Sequence, residues 1–373
     1  MKQQYVDVQQ NSLEIVYPAY MKKGLLSNLS ERGLIINNKR MSNGGNNLFL
    51  PDVSYIEDIN GKINHLFDCM DIKTLIENIE DLEFKKEYRH MVWFKLNNLN
   101  LESTIGKISE NKDDVFLMYN SNFESDVVDE NASVVTIRQS PSHIYIKFSY
   151  LLTPRTPMHI EKNIKYVVLA RIDIESEVLE ICFDKVKFDY RPNENFYSGI
   201  VDMTIDKLKS LLELEIVNID FKELIYYIKE NKEDVLIVSM KMHRNGTIAH
   251  LDSFENEEYT IPILGELKGF IDQNVTLFSS NNKCKEIENK LMEFIGEIEV
   301  TSDLPKVKLR WQDARISLGA DHNYNMKDYT LFVLYDELSS ERRRIDYVRK
   351  YFIECFTEFR EQIQSESLSE ETN

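Results

Sequence analysis

The 373-residue sequence predicts an α+β protein with antiparallel, hairpin-built sheets and packed helices. Some segments alternate apolar and polar residues and are joined by short turns, whereas others repeat apolar residues every three or four positions. These two patterns are interspersed, which is typical of the α+β class. Two prolines in residues 152–158 predict a boundary, because proline interrupts both helices and central strands. The predicted organisation is a mixed α/β domain at 1–152, an α+β domain with a long terminal helix at 159–362, and a disordered acidic tail at 363–373.

The N-terminal part of the chain predicts a mixture of elements. "LEIVYPAY" has the composition of a strand, and residues 40–47 are typical of a polar loop. Residues 71–95 carry apolar residues at helical spacing and run into "HMVWFKL". Three further segments predict strands, namely "DVFLMY", "SVVTIRQ" and "HIYIKFSYLL".

The rest of the chain predicts hairpins and helices in turn. "KYVVLARIDI" and "VLEICFDKV" form one hairpin, and Asn245-Gly246 marks a second, because this pair suits a type I′ turn. Helices are predicted at 203–214, from Asp220 as a capping residue, and at 285–296. The last helix carries an apolar stripe made of Ile345, Val348, Phe352, Cys355, Phe356 and Phe359.

The overall charge limits the classes of partner. The chain has 63 acidic and 45 basic residues, a formal net charge of −18, so most of its surface repels nucleic acid and anionic membranes. The four cysteines are sparse, no signal peptide begins the chain, and no apolar run approaches the ~20 residues of a membrane helix. The expected location is the cytoplasm, with no membrane partner.

The segment from 250 to 270 comes nearest to a catalytic motif. Asp252 precedes an apolar run and the triplet Glu266-Leu267-Lys268, and this arrangement resembles the active site of PD-(D/E)XK nucleases. The resemblance implies that Asp252 and Glu266 hold a divalent cation and that Lys268 orients the attacking water. The chemistry requires an extended backbone, because alternation along a strand then brings Glu266 and Lys268 to the same face.

A helix is the alternative for the same segment. Residues two positions apart in a helix, such as Glu266 and Lys268, are separated by about 200° around the axis. The acid and the amine could then not act on one ion. Pro262 suits the first turn of a helix, and an apolar stripe follows it. The sequence therefore favours a hairpin followed by a helix.

His243 and His250 share a strand face with Asp252, but this face is interpreted as solvent-facing and no metal site is predicted.

The C-terminal part contains a local excess of basic residues. Between residues 306 and 350 there are ten bases against seven acids. Such a patch could bind nucleic acid or an acidic partner, although pairing with nearby acidic residues is the alternative. The candidate binding residues are Lys306, Lys308, Arg310, Arg342, Arg343, Arg344 and Arg349.

The motifs of common enzymes are missing from the sequence. It has no phosphate-binding Gly-Lys-Ser/Thr loop, no GxGxxG segment after a strand and no GxSxG elbow. We therefore expect a non-enzymatic adaptor, sensor or accessory subunit of a multi-component bacterial system, for example in phage defence, with another protein subunit as its partner. The alternatives are the metal-dependent nuclease and a nucleic-acid-binding protein that uses the basic patch. No cofactor is expected unless the nuclease hypothesis holds, which requires a divalent cation.

Overall fold

The structure, a computed structural model, divides the chain into two compact units. The first unit is Met1–Ile219 with Asp336–Glu354, and the second is Asp220–Tyr335 with Cys355–Asn373. The residues that the structure describes are 3–38, 50–97, 99–110, 116–118, 134–155, 162–244, 247–252, 262–301 and 303–370.

The first unit combines helices with a sheet. Its helices are α1 (Gln3–Ile15), α2 (Ala19–Glu31), α3 (Ile59–Cys69), α4 (Ile72–Lys85), α5 (Leu101–Glu110) and α6 (Phe196–Leu212). Its strands are β1 (His90–Asn97), β2 (Phe116–Met118), β3 (Val134–Gln139), β4 (His143–Leu152), β5 (Ile164–Asp173), β6 (Val178–Phe183) and β7 (Glu215–Asn218).

The strands of the first unit lie in the order β2-β3-β4-β5-β6-β1, and β7 pairs with the end of β1. The β2–β3 pair is parallel, and β3 to β6 form antiparallel neighbours. One face is apolar and includes Ile146, Ala170 and Ile181, which are fully buried. The opposite face carries polar side chains, although β5 is buried along its whole length.

The polar face of this sheet is covered by charged side chains of the helices. Lys147 on β4 and Lys165 on β5 both contact Glu80 and Glu83 of α4. The distances from the two lysine Nζ atoms to Glu83 Oε2 are both 2.8 Å. Tyr5 of α1 donates a hydrogen bond to Glu80 as well. This four-charge cluster of two lysines and two glutamates is buried.

The second unit contains both hairpins and helices. Its elements are α7 (Phe221–Asn231), β8 (Val235–Arg244), β9 (Thr247–Asp252), α8 (Pro262–Gln273), α9 (Val275–Phe278), α10 (Asn282–Thr301), β10 (Asp303–Trp311), β11 (Ile316–Asp321) and β12 (Leu331–Leu334). Its strands follow the order β9-β8-β10-β11-β12, and all neighbours are antiparallel. A last helix, α11 (Arg343–Glu370), contributes to the first unit up to Glu354 and to the second from Cys355.

The mixture of helices and antiparallel strands confirms the predicted α+β class. The chain divides at residue 219 instead of at 152–158. Strands β4 and β5, which flank the predicted boundary, pair along ten residues and so belong to one unit. The prolines therefore lie between two paired strands of a single sheet.

Another expectation, that of a strand near the N-terminus, is wrong. The "LEIVY" segment begins within α1, where Tyr5, Val8, Ser12 and Leu13 are buried at helical spacing. Residues 363–370 of the tail continue α11, because adding residues to an existing helix is much easier than starting one. Residues 371–373 and the predicted loop at 40–47 lie outside the described residues.

A search of the described residues for helices long and apolar enough to cross a membrane finds none.

Candidate functional site

The structure places the residues of the nuclease hypothesis in two different elements. Asp252 is the last residue of β9, whereas Glu266 and Lys268 lie in α8. The hypothesis required an extended backbone at 266–268, and the backbone there is helical. The preference for a hairpin followed by a helix is confirmed, and His243 pairs with Ile248 in this hairpin.

Clusters of possible metal ligands are also lacking in the part of the chain that the structure describes. No group of three or more histidine, cysteine, aspartate or glutamate side chains is close enough there to hold one ion.

The basic strand of the second unit has the predicted alternation. Val307, Leu309 and Trp311 of β10 are buried, whereas Lys306 is exposed and Lys308 is half-buried. Lys306 forms an ion pair of 2.7 Å with Asp321 on the neighbouring strand. The Lys308 ammonium lies 4.7 Å from the centroid of the Tyr335 ring.

The arginines around the start of α11 form ion pairs, which is the alternative that the sequence left open. Arg342 and Arg349 are buried, and they form ion pairs with Glu180 and Asp173 of the sheet. Arg344 forms an ion pair with the buried Glu87. These three side chains therefore attach α11 to the first unit. Arg343 differs from them, because its side chain is 86% exposed and pairs with Glu341 at 2.6 Å.

The pKa values in this arginine cluster follow from burial and charge. Burial alone would raise the pKa of Asp173, but hydrogen bonds from His143 and Ser176 and the charge of Arg349 lower it. Burial opposes the charge of Arg342, yet Glu180 raises the pKa of this guanidinium. The cluster is therefore charged at neutral pH and its charges are satisfied within the protein.

The largest concentration of exposed apolar side chains in the second unit lies on α8, α9 and α10. Their exposed fractions range from 44 to 66%. We call this set the α8–α10 surface; it consists of Phe270, Val275, Leu277, Ile287, Met292 and Phe294. Scattered apolar residues are normal on a protein surface, whereas a concentration of them is a common feature of interaction sites.

Few of the side chains that the structure describes on these helices are buried. Ile271 and Ile295 form the centre of a small cluster, against which Leu267, Phe278 and Leu291 pack. Ile287 and Phe294 are seven residues apart on α10 and so share one stripe, separate from the inward-facing Ile295. The helices therefore offer an outer apolar face in addition to the one that packs internally.

The charged residues beside this face are mixed in sign. Glu286 and Lys290 form an exposed ion pair of 3.3 Å, and Asp272 and Glu293 are exposed. An apolar centre with a polar rim is the usual composition of a protein interface.

Sequence patterns did not identify these residues as functional. The apolar stripe after Pro262 correctly indicated a helix, and Leu267 and Ile271 do face inward. The same stripe includes Val275, which is 48% exposed. The seven-residue spacing of Ile287 and Phe294 was the signal that could have indicated an outer apolar face. This pair lies outside the stripe of Leu291 and Ile295.

No protein-family model matches the chain, and no curated protein matches its sequence.

Proposed function

We propose that this protein is a non-enzymatic adaptor or accessory subunit of a multi-component bacterial system, and that the α8–α10 surface binds its partner protein. The observation that carries the proposal is the group of six large apolar side chains, each at least 44% exposed, on three consecutive helices. Phenylalanine and methionine are enriched in protein interfaces, and buried apolar anchors supply most of the binding energy.

The charge of the chain favours a partner other than a second copy. With a net charge of −18, two copies repel each other at long range, whereas a protein with basic residues around an apolar pocket is attracted. The partner that fits is therefore a different protein with an apolar recess and a neutral or basic rim. Exposed acids such as Asp272 and Glu293 lie where this rim would make contact.

The test begins with the protein that co-purifies in stoichiometric amount from the native host. This partner is produced separately, and its affinity is measured by calorimetry for the native chain and for the double variant Ile287→Ser, Phe294→Ser. Burial of one such side chain contributes about 1.5–3 kcal/mol, so we expect the double variant to bind at least about tenfold more weakly.

The matched control is Met326→Ser, which removes another apolar side chain, 95% exposed, outside these helices. Its affinity should equal that of the native protein, and all three proteins should melt at similar temperatures. A chain that remains solitary in its host, or a partner that binds the double variant with unchanged affinity, would contradict the proposal.

A further inference from the structure

The first unit has a cleft of about 490 Å³ beside α4. Its walls come from α2, α4, the turn between β3 and β4, and the residues at the start of α11. A neighbouring hollow of about 390 Å³ shares Asn28, Asn78, Asp81 and Lys85 with it, so we describe the two together as the α4 cleft. The volume is in the range of small-molecule sites in proteins.

Three cations meet on one face of α4 within this cleft. Arg138 Nη1 lies 2.9 Å from Asp81 Oδ1, and Lys85 contacts the other oxygen of the same carboxylate. Arg32 donates a hydrogen bond to Asn78, one turn earlier on the helix. Two cations thus share one anion, and the third is bound to a neutral amide. The side chains of Lys85 and Arg138 remain 52% and 35% exposed, so a ligand can reach them.

The start of α11 forms another wall and is held firmly. Buried Glu87 accepts hydrogen bonds from the Ser339 amide at 2.8 Å and from Arg344 Nε at 3.1 Å. The first N–H groups of a helix lack partners within the helix and carry partial positive charge, which favours a nearby anion.

Arg342, which also lines the cleft, is more than nine-tenths buried. Its Nη2 binds Glu180, but its Nε and Nη1 have no hydrogen-bond partner among the described residues. Unpaired buried donors are unfavourable, so these two N–H groups of Arg342 favour a further acceptor on this side of the cleft.

An aromatic and aliphatic side completes the cleft. Leu25, Leu82, Phe84 and Tyr145 line it, and the rings of Phe84 and Tyr145 meet edge to face with centroids 6.5 Å apart. A ligand that fits both sides has an anionic group and a planar, less polar group. The lining also holds four acids: Asp81 contacts two cations, Asp346 is paired with Arg171, Glu341 is paired with Arg343, and Glu77 lies in the neighbouring hollow.

We infer that the α4 cleft binds a nucleoside phosphate. Arginine and lysine are the usual partners of phosphate, and arginine can bind it with two hydrogen bonds. The phosphate lies near Arg32, Lys85 and Arg138, and the base packs on the side of Phe84 and Tyr145. Binding at this site would make the protein responsive to a small molecule, independently of any contact at the α8–α10 surface.

The test uses calorimetry on the full chain with four probes, namely ATP, AMP, inorganic phosphate and adenosine. A nucleoside phosphate should bind more tightly than inorganic phosphate or adenosine, because only it uses both sides of the cleft. In the variant Lys85→Gln, Arg138→Gln we expect its affinity to fall at least about tenfold, since two charge-assisted hydrogen bonds are lost.

A second variant distinguishes ligand binding from a structural role of these cations. Asp81→Asn removes the carboxylate that competes for Lys85 and Arg138, so we expect the nucleoside phosphate to bind more tightly than to the native protein. The matched control is Lys162→Gln, which breaks the exposed pair of Lys162 with Glu14 and should leave the affinity unchanged.

Two results would overturn the inference. One is the lack of binding of both ATP and AMP to the native chain at millimolar concentration. The other is binding that Lys85→Gln, Arg138→Gln and Asp81→Asn leave unchanged.

Discussion

At the scale of single residues, the buried four-charge cluster of Lys147, Lys165, Glu80 and Glu83 is the most unusual feature of the first unit. Burial and the nearby charge of Lys165 lower the pKa of Lys147. Burial also opposes the charge of Lys165, but Glu83 and Tyr5 raise its pKa above the ordinary value. A complete buried cluster of this kind adds little net stability, whereas removing one member leaves a buried charge without its partner. Its members are therefore strongly interdependent.

We expect Glu80→Gln to lower the free energy of unfolding by about 3–5 kcal/mol, because two lysines then share the single charge of Glu83. The measurement is urea denaturation at neutral pH. Glu77→Gln, an exposed change one turn earlier on α4, is the control and should alter stability by less than about 0.5 kcal/mol. Equal stabilities of the two variants would show that the cluster is not coupled as described.

His90 predicts a pH dependence of stability. Its ring contacts the rings of Phe183 and Tyr197, with centroids 5.4 and 5.2 Å away, and burial lowers its pKa from 6.5 to about 4. The unfolded chain therefore takes up this proton at a higher pH than the folded protein does. Above pH 6.5 the histidine has no effect, and as the pH falls to 4 it destabilises the fold by up to about 3 kcal/mol.

The comparison with His90→Phe isolates this effect, because phenylalanine retains the stacking and cannot be protonated. Unfolding in urea at several pH values should show similar stability for both proteins at pH 7 and a growing advantage of the variant below pH 6.5. Parallel stability curves would mean that the His90 pKa is not lowered in the folded state.

At the scale of elements, the N-terminal cap of α7 provides the clearest test of a local interaction. Asp220 Oδ1 accepts hydrogen bonds from the backbone amides of Lys222 at 3.0 Å and Glu223 at 3.2 Å, which confirms the predicted cap. Asp220→Ala should lower the free energy of unfolding by about 1 kcal/mol, whereas Asp220→Asn, which also caps well, should change it by only a few tenths. Chemical denaturation of both variants would detect the difference, and identical losses would exclude a capping role.

The elements that sequence patterns predicted correctly are those with strong local signals. The β5–β6 and β8–β9 hairpins were predicted from the alternation of apolar and polar residues and from turn motifs in the sequence. Both signals span only a few residues. "LEIVY" was misread because a short apolar run fits a strand or a helix equally well. The α8–α10 surface and the α4 cleft depend on which faces other segments cover, and this is a tertiary property that no local pattern contains.

At the scale of the whole molecule, the net charge of −18 decides the expected behaviour toward nucleic acid. Three arginines of the predicted basic patch already form ion pairs within the first unit. The pairs are Arg342–Glu180, Arg344–Glu87 and Arg349–Asp173. We therefore expect no binding to short single- or double-stranded DNA at ~150 mM salt in fluorescence anisotropy. A salt-sensitive complex that Lys308→Glu with Arg310→Glu abolishes would refute this expectation.

The first unit is assembled from two distant parts of the chain, and this has a consequence for its synthesis on the ribosome. Glu180 and Asp173 are made early, but their partners Arg342 and Arg349 emerge more than 150 residues later. Until then the nascent unit holds carboxylates that must stay hydrated, so its interior cannot close in the order in which it is translated. Completion of the first unit therefore waits until residue 349 has been translated, and a ribosome that stalls before residue 342 leaves Glu180 and Asp173 without these partners.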